Sequence, residues 1–320
     1  MKIKDIGEFG LIDKIRKKPK DKNILVGIGD DAAVIKTKKG LQVLTTDCLV
    51  EGDHFRREWF SPKQIGMKAI EINVSDIAAM GAIPKYVLVS LALPKDIEIK
   101  FVEDMYKGMW KICDKYNLEI IGGNMTHCDT IIISITLTGE VQKNNLSLRS
   151  GAKPGDFIFT SGHLGNGKAG LRLFQKNLEG FEKVRKSYLE PKANLENAIK
   201  IAPFVNAMID VTDGLAPEIK HICDESKCGA IIYKDKIPIT DEVRGVANKL
   251  AEDEYDYALY GGEDFELIYT VSKEKIDKVN GFLIGEITKD KGIYLFFRDK
   301  KESILKKGYD HFSNIFLFVR

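Results

Sequence analysis

The chain has 320 residues, of which 44% are hydrophobic and 30% charged, and its formal net charge is +2. That length holds two domains or one large one with a real apolar core, and the composition is ordinary for a globular protein. So small a net charge excludes binding to nucleic acid through the overall field. No apolar run reaches a membrane span and no signal-peptide core opens the chain, so a cytoplasmic protein is expected.

In chain order, the basic run 14–22 reads as a solvated loop. Strand patterns follow at 25–28, 43–46 and 86–93, with helical periodicity over 62–80 and 99–116. Two more strands are expected at 118–121 and 131–139. Gly151-Ala152-Lys153-Pro154-Gly155 then punctuates the chain, which suggests two domains, 1–150 and 151–320. The second half reads as strand 157–160, helices, strand 207–210, a helix from about 214, and strands at 230–233, 266–271, 282–287 and 293–297. The whole is a mixed α/β chain in two halves of similar size. The five cysteines form no C-x-x-C pair and read as reduced thiols.

The aspartates carry the chemical information. Gly29-Asp30-Asp31 follows the first strand, and Thr45-Thr46-Asp47 closes the second. Asp210-Val211-Thr212-Asp213-Gly214 closes a strand and opens a helix, and Gly261-Gly262-Glu263-Asp264 precedes another strand. Taken singly, each also serves as a helix N-cap or a turn. Together they stand at strand ends, which a sheet brings to one place. Asp76 is less easily explained away. It shares a helix face with Ile65, Ala69, Ile72 and Ala79, where a carboxylate needs a buried lysine or arginine, or a metal ion. Aspartates with threonine hydroxyls suit magnesium, a hard cation that takes oxygen ligands, better than zinc.

One glycine-rich segment competes with this reading. Gly162-His163-Leu164-Gly165-Asn166-Gly167-Lys168 fits a phosphate-binding loop until Ala169, where a hydroxyl should stand, so a plain strand-to-helix turn is expected.

Five motifs, read in order, resemble one family over nearly the whole chain. They are Gly27-Ile28-Gly29-Asp30-Asp31-Ala32-Ala33, Thr45-Thr46-Asp47 running on to His54-Phe55, Asn73-Val74-Ser75-Asp76, Asp210-Val211-Thr212-Asp213-Gly214 and Gly261-Gly262-Glu263-Asp264-Phe265. The resemblance is to the thiamine-monophosphate kinases of the aminoimidazole-ribonucleotide synthetase-like superfamily. It implies a two-domain α/β fold whose N-terminal domain forms a barrel across a homodimer interface, with ATP between the domains. It also implies several Mg²⁺ ions on Asp30 or Asp31, Thr45, Thr46, Asp47, Asp76, Asp210 and Asp213. ATP contacts implied are Tyr106, Gly123, Arg149 and Thr212, and thiamine monophosphate contacts are His54, Glu263 and Tyr309 or Phe312. The sequence departs from the family at Gly122-Gly123-Asn124, where the family carries Gly-Gly-Asp with a magnesium-binding Asp. Asn124 keeps an oxygen ligand without its charge and serves the same metal and ATP position, unless Asp129 stands in.

The function implied is in-line transfer of phosphate from ATP to thiamine monophosphate, without a general base or phosphoenzyme. Two alternatives remain open at this point: another ATP-dependent small-molecule kinase or synthetase of the superfamily, and a non-catalytic sensor of ATP or thiamine phosphates. No nucleic acid or membrane partner is expected.

Overall fold

The computed structural model describes residues 5, 7–17 and 19–304. The first half contains α1 (Gly7–Ile15), β1 (Ile24–Val26), β2 (Ala33–Thr37), β3 (Gly40–Val50), α2 (Pro62–Ala79), β4 (Ile83–Leu93), α3 (Ile99–Tyr116), β5 (Glu119–His127) and β6 (Ile132–Val141). Among the described residues its strands form one six-stranded sheet in the order β1-β2-β3-β6-β4-β5. The sheet is open; β1 and β5 are its edges, so no barrel closes within one chain among the described residues.

Alternation decides which face is covered. Ile133, Ile135 and Leu137 on β6 and Val87, Val89 and Leu91 on β4 are buried. Tyr86 and Leu88, which alternate with the β4 residues, are exposed, as a period of two requires. Helices α2 and α3 cover the buried face. Gly66 and Gly108 let their backbones touch: a Cβ on Gly66 would come within 1.9 Å of the Met105 carbonyl oxygen, and one on Gly108 within 2.0 Å of that of Lys63. A capping box between Ser61 and Gln64, with Pro62 in the first turn, starts α2.

The second half contains β7 (Phe157–Thr160), α4 (Asn166–Gln175), α5 (Glu182–Leu189), α6 (Leu195–Ile201), β8 (Ala207–Asp210), α7 (Leu215–Ser226) and β9 (Gly229–Tyr233). It continues with α8 (Asp241–Leu250), α9 (Glu254–Tyr260), β10 (Leu267–Val271), β11 (Phe282–Thr288), β12 (Gly292–Phe297) and β13 (Lys300–Ser303). The strands form a seven-stranded sheet ordered β13-β12-β9-β11-β7-β10-β8. One face packs on α4, α7, α8 and α9 through Ile209, Ile219, Ile222, Val243, Val246 and Ile268.

The other face meets the first half. Phe159, Met208, Leu267, Tyr269 and Val271 belong to the same apolar core as α2 and the first sheet. Helix α2 is therefore buried on nearly every side, with Lys68, Glu71, Asn73 and Ser75 inside along with its apolar residues. The sequence predicted one apolar face; contact with the second sheet and α6 buries the rest.

Two expected strand ends lie elsewhere. β3 runs on to Val50, so Thr45, Thr46 and Asp47 sit inside the strand, paired with Leu137, Thr136 and Ile135 of β6. β5 likewise continues through Gly122-Gly123-Asn124 to His127, parallel to β4. In both, polar or glycine residues interrupt an apolar run while the ladder of backbone hydrogen bonds continues. Among the described residues no helix is long and apolar enough to cross a membrane.

Candidate active site

The aspartates converge where α2 passes between the two sheets. Strand alternation turns Thr45 and Asp47 toward α2. Thr45 donates its hydroxyl to Asp76 Oδ2 at 2.5 Å, and the Asp47 backbone N–H donates to Asn73 Oδ1 at 3.1 Å. One turn of the same helix presents Ser75, whose hydroxyl donates to Asp210 Oδ2 at the end of β8, 2.5 Å away. Asp30 and Asp31 enter from the turn before β2. Arg149 donates Nε and Nη2 to Asp31 Oδ1 at 2.9 and 2.5 Å, and its backbone N–H reaches both oxygens of Asp30 at 3.3 Å.

These carboxylates repel one another inside the protein. Burial and then Asp31 push Asp30 up to about 7. Burial and Asp31 push Asp210 to about 8, while burial and Glu8 push Asp47 to about 6. Asp76 stands well above the carboxylate range, through burial first and then Asp47 and Asp210. Burial also raises Asp31, against the pull of Arg149, and its Oδ2 is buried with no hydrogen-bond partner among the described residues. With Arg149 already committed to Asp31, the cluster has more negative charge than the described cations beside it offset.

This donor set fits hard divalent cations. An orphaned buried oxygen and several mutually repelling carboxylates are what such ions relieve. Among the described residues no three His, Cys, Asp or Glu side chains form a ready-made cage.

A second turn borders the cluster. Glu218 on α7 accepts the backbone N–H groups of Thr212 and Asp213 at 3.2 and 2.9 Å and the Thr212 hydroxyl at 3.2 Å. Gly262 presses on the same turn, since a Cβ there would lie 1.9 Å from the Thr212 carbonyl oxygen. The next residue, Glu263, has φ +65° and donates its N–H to that carbonyl at 2.9 Å. His54 accepts the Val50 N–H on Nδ1 at 3.1 Å, and its carbonyl oxygen receives Lys68 Nζ at 3.0 Å.

Other expected site residues stand apart in the single chain. Thr46 alternates to the opposite face of the sheet and donates to the Ile135 carbonyl at 2.9 Å. The ladders put Asn124 on that same open face, in a row with Ser90, Ser134 and Cys48, whereas Gly123 falls in the row of Asp47. Asp129 is fully exposed, with His127 Nε2 3.6 Å away. Tyr106 lies half-buried on α3 against Trp110. Tyr309 and Phe312 lie outside the described residues.

The glycine-rich segment 162–168 already has an acceptor for its N–H groups. Buried Asp264 accepts the N–H groups of Gly165 and Gly167 at 2.6 and 2.9 Å, at the start of α4. The donors that would cradle a phosphate are occupied by this carboxylate.

The sequence alone gives no role to Lys68 or Glu218, nor to Asn73 and Ser75 beyond their place in a motif. Their signal was present for α2, where polar residues occur on every side of a helix without a solvent stripe.

The chain matches the family models for AIR synthase related protein, the N-terminal domain over residues 29–141 and the C-terminal domain over 153–298. It is 37% identical to the thiamine-monophosphate kinase of Aquifex aeolicus over 98% of this chain and 100% of that protein. Identity to the enzyme of Bacillus subtilis is 36%, over 96% and 99% of the two chains. A solved structure of AaThiL complexed with AMPPCP and TMP superposes with a TM-score of 0.89 at 36% identity, covering 97% of this chain and 99% of the other. The chain has the mixed α/β two-domain AIR synthase-like fold and belongs to the thiamine-monophosphate kinase family.

Proposed function

We propose that this protein transfers the γ-phosphoryl group of ATP to thiamine monophosphate, forming ADP and thiamine diphosphate. The observation that carries the reading is the convergence of Asp30, Asp31, Asp47, Asp76 and Asp210, the second and last buried and the others half-buried, mutually repelling, with Asp31 Oδ2 meeting no hydrogen-bond partner among the described residues. Family membership supplies the substrate class, and the AaThiL complex holds an ATP analogue together with TMP.

In this reading Asp30, Asp31, Thr45, Asp47, Asp76, Asp210 and Asp213 hold several Mg²⁺ ions. Thr46 and Asn124 are further candidates from the open sheet face. Bound there, magnesium neutralises phosphate charge and aligns the reacting oxygens. Arg149, Thr212, Gly123 and Tyr106 contact ATP, and His54 and Glu263 contact thiamine monophosphate. The nucleophile is an oxygen of the substrate phosphate, whose second pKa is about 6, so it arrives largely as a dianion and needs no general base. The protein's task is to bring two anions together. Unit charges 4 Å apart repel by about 4 kcal/mol at an effective dielectric near 20. The fixed carboxylates organise the countercharge that offsets this, and Gly262 keeps the Thr212 turn close to Glu263.

The same reading divides the chain near residue 150. It pairs two copies through the first sheet, whose open face exposes Tyr86 and Leu88 and whose edge strand β5 exposes Ile121 and Met125. Incubation with γ-labelled ATP and thiamine monophosphate tests the reaction. Label should pass into thiamine diphosphate with no labelled protein; label trapped on the protein, or released only as inorganic phosphate, defeats direct transfer.

A further inference from the structure

Lys68 is a lysine with no exposed side-chain surface. Its ammonium group lies 2.6 Å from Glu263 Oε1 and donates to the His54 carbonyl oxygen at 3.0 Å. The faces of Phe60 and Tyr188 lie 5.3 and 5.2 Å from the same nitrogen. These rings extend into an aromatic cluster, with Phe174 against Tyr188 at 5.6 Å and Trp59 stacked on Phe174 at 5.6 Å. One buried cation thus ties a residue of the second half to a loop of the first, within an aromatic wall.

Stability alone gives little reason for such a residue. A buried ion pair is often matched or bettered by apolar side chains of similar volume. Methionine would fill this space and pack on the same rings. The lysine does something methionine cannot: it holds two polar groups at fixed positions. Glu263 also needs holding. Its backbone is left-handed at φ +65°, that of Phe265 is at +52°, and such conformations persist in non-glycine residues where the surroundings over-determine them. The carboxylate is tied to Lys68 and the N–H to Thr212, yet the side chain remains 30% exposed. It is anchored on one side and open on the other.

We propose that Lys68 is a positioning residue for the acceptor substrate, setting the Glu263 carboxylate and the His54 loop at the geometry that binds thiamine monophosphate. The assignment rests on the proposed function. Lys68 contacts neither ATP nor the aspartate cluster in this scheme, so its effect is confined to the acceptor.

The test is steady-state kinetics of the full-length protein with ATP and thiamine monophosphate. Lys68→Met should raise the KM for thiamine monophosphate about 10- to 100-fold, the scale of a lost charge-assisted contact, with the KM for ATP within about twofold of wild type. Glu263→Gln should act in the same direction, and the double variant should be no worse than the poorer single one, because both changes break one linkage. A merely structural lysine would lower the folded fraction, and hence apparent kcat, with both KM values unchanged. That result, equal rises in both KM values, or full additivity in the double variant would overturn the assignment. If Lys68→Met fails to fold, Lys68→Gln, which keeps a donor, takes its place; failure of both to fold would also make the role structural. Wild-type protein lacking acceptor-dependent turnover would sink the proposed function and this assignment with it, whereas wild-type turnover with unchanged KM values in the variants overturns this assignment alone.

Discussion

Ser75 and Asp210 are joined across the two halves of the molecule: the serine hydroxyl on α2 donates to the aspartate Oδ2 at the end of β8, 2.5 Å away. That single bond fixes a carboxylate of the second sheet against a helix of the first, beside Asp76. The cleft between the halves is thereby a defined place, with Asp76 and Asp210 each held by a neutral hydroxyl.

Asp47, Asp76 and Asp210 test the cation reading most simply. Asparagine at any one keeps the shape and removes a charge. Each variant should lower kcat at limiting Mg²⁺ by at least roughly 100-fold, the scale of lost transition-state electrostatics. Near-normal turnover in all three would remove the metal assignment.

Lys168 should matter little. The N–H groups of its loop already serve Asp264, and Ala169 lacks the hydroxyl a phosphate loop requires. Lys168→Ala should leave ATP turnover within about tenfold of wild type, short of the loss of a direct phosphate contact. A collapse in activity with the fold intact would restore the phosphate-loop reading.

Asn124 is the family departure, and it lies on the open sheet face. If it still faces a metal, Asn124→Asp should lower the Mg²⁺ concentration for half-maximal activity. Asp129→Asn should raise it only if that fully exposed carboxylate substitutes for the missing one. Three superimposable Mg²⁺ titrations would mean that neither residue meets an ion, and would leave a sensor role without support in the sequence.

Asp264 gives a pH signature in stability. Burial raises it from 3.8 to about 7, so the folded protein keeps a proton that the unfolded chain has lost. Its contribution is fully present below pH 4 and is lost as pH rises through about 7. Asp264→Asn removes that titration. Its Tm should fall less steeply than that of wild type between pH 4 and 8. Parallel Tm profiles would show that the raised value does not act on folding.

Much of this was legible in the sequence, and the failures share a cause. β7 and β8 match their expected bounds because three apolar residues closed by a polar one stand out. Thr45–Asp47 reads as a strand end because polarity interrupts the pattern, whereas alternation inside β3 is what turns Thr45 and Asp47 together toward α2. For α2, Asp76 was recognised against an apolar face. Lys68 and the contacts of Asn73 and Ser75 were not, because pattern reading assigns polar residues to solvent and cannot see a second sheet arriving from residues 157–271. The links from Ser75 to Asp210 and from Lys68 to Glu263 span 135 and 195 residues, a separation no local pattern encodes.

Phosphoryl transfer to thiamine monophosphate is tested by ADP release from ATP, measured with and without thiamine monophosphate and with and without Mg²⁺. Release should be rapid only when both are present, with thiamine diphosphate formed mole for mole with ADP. ADP release indifferent to thiamine monophosphate, or binding of both ligands with no turnover at saturating Mg²⁺, would contradict it.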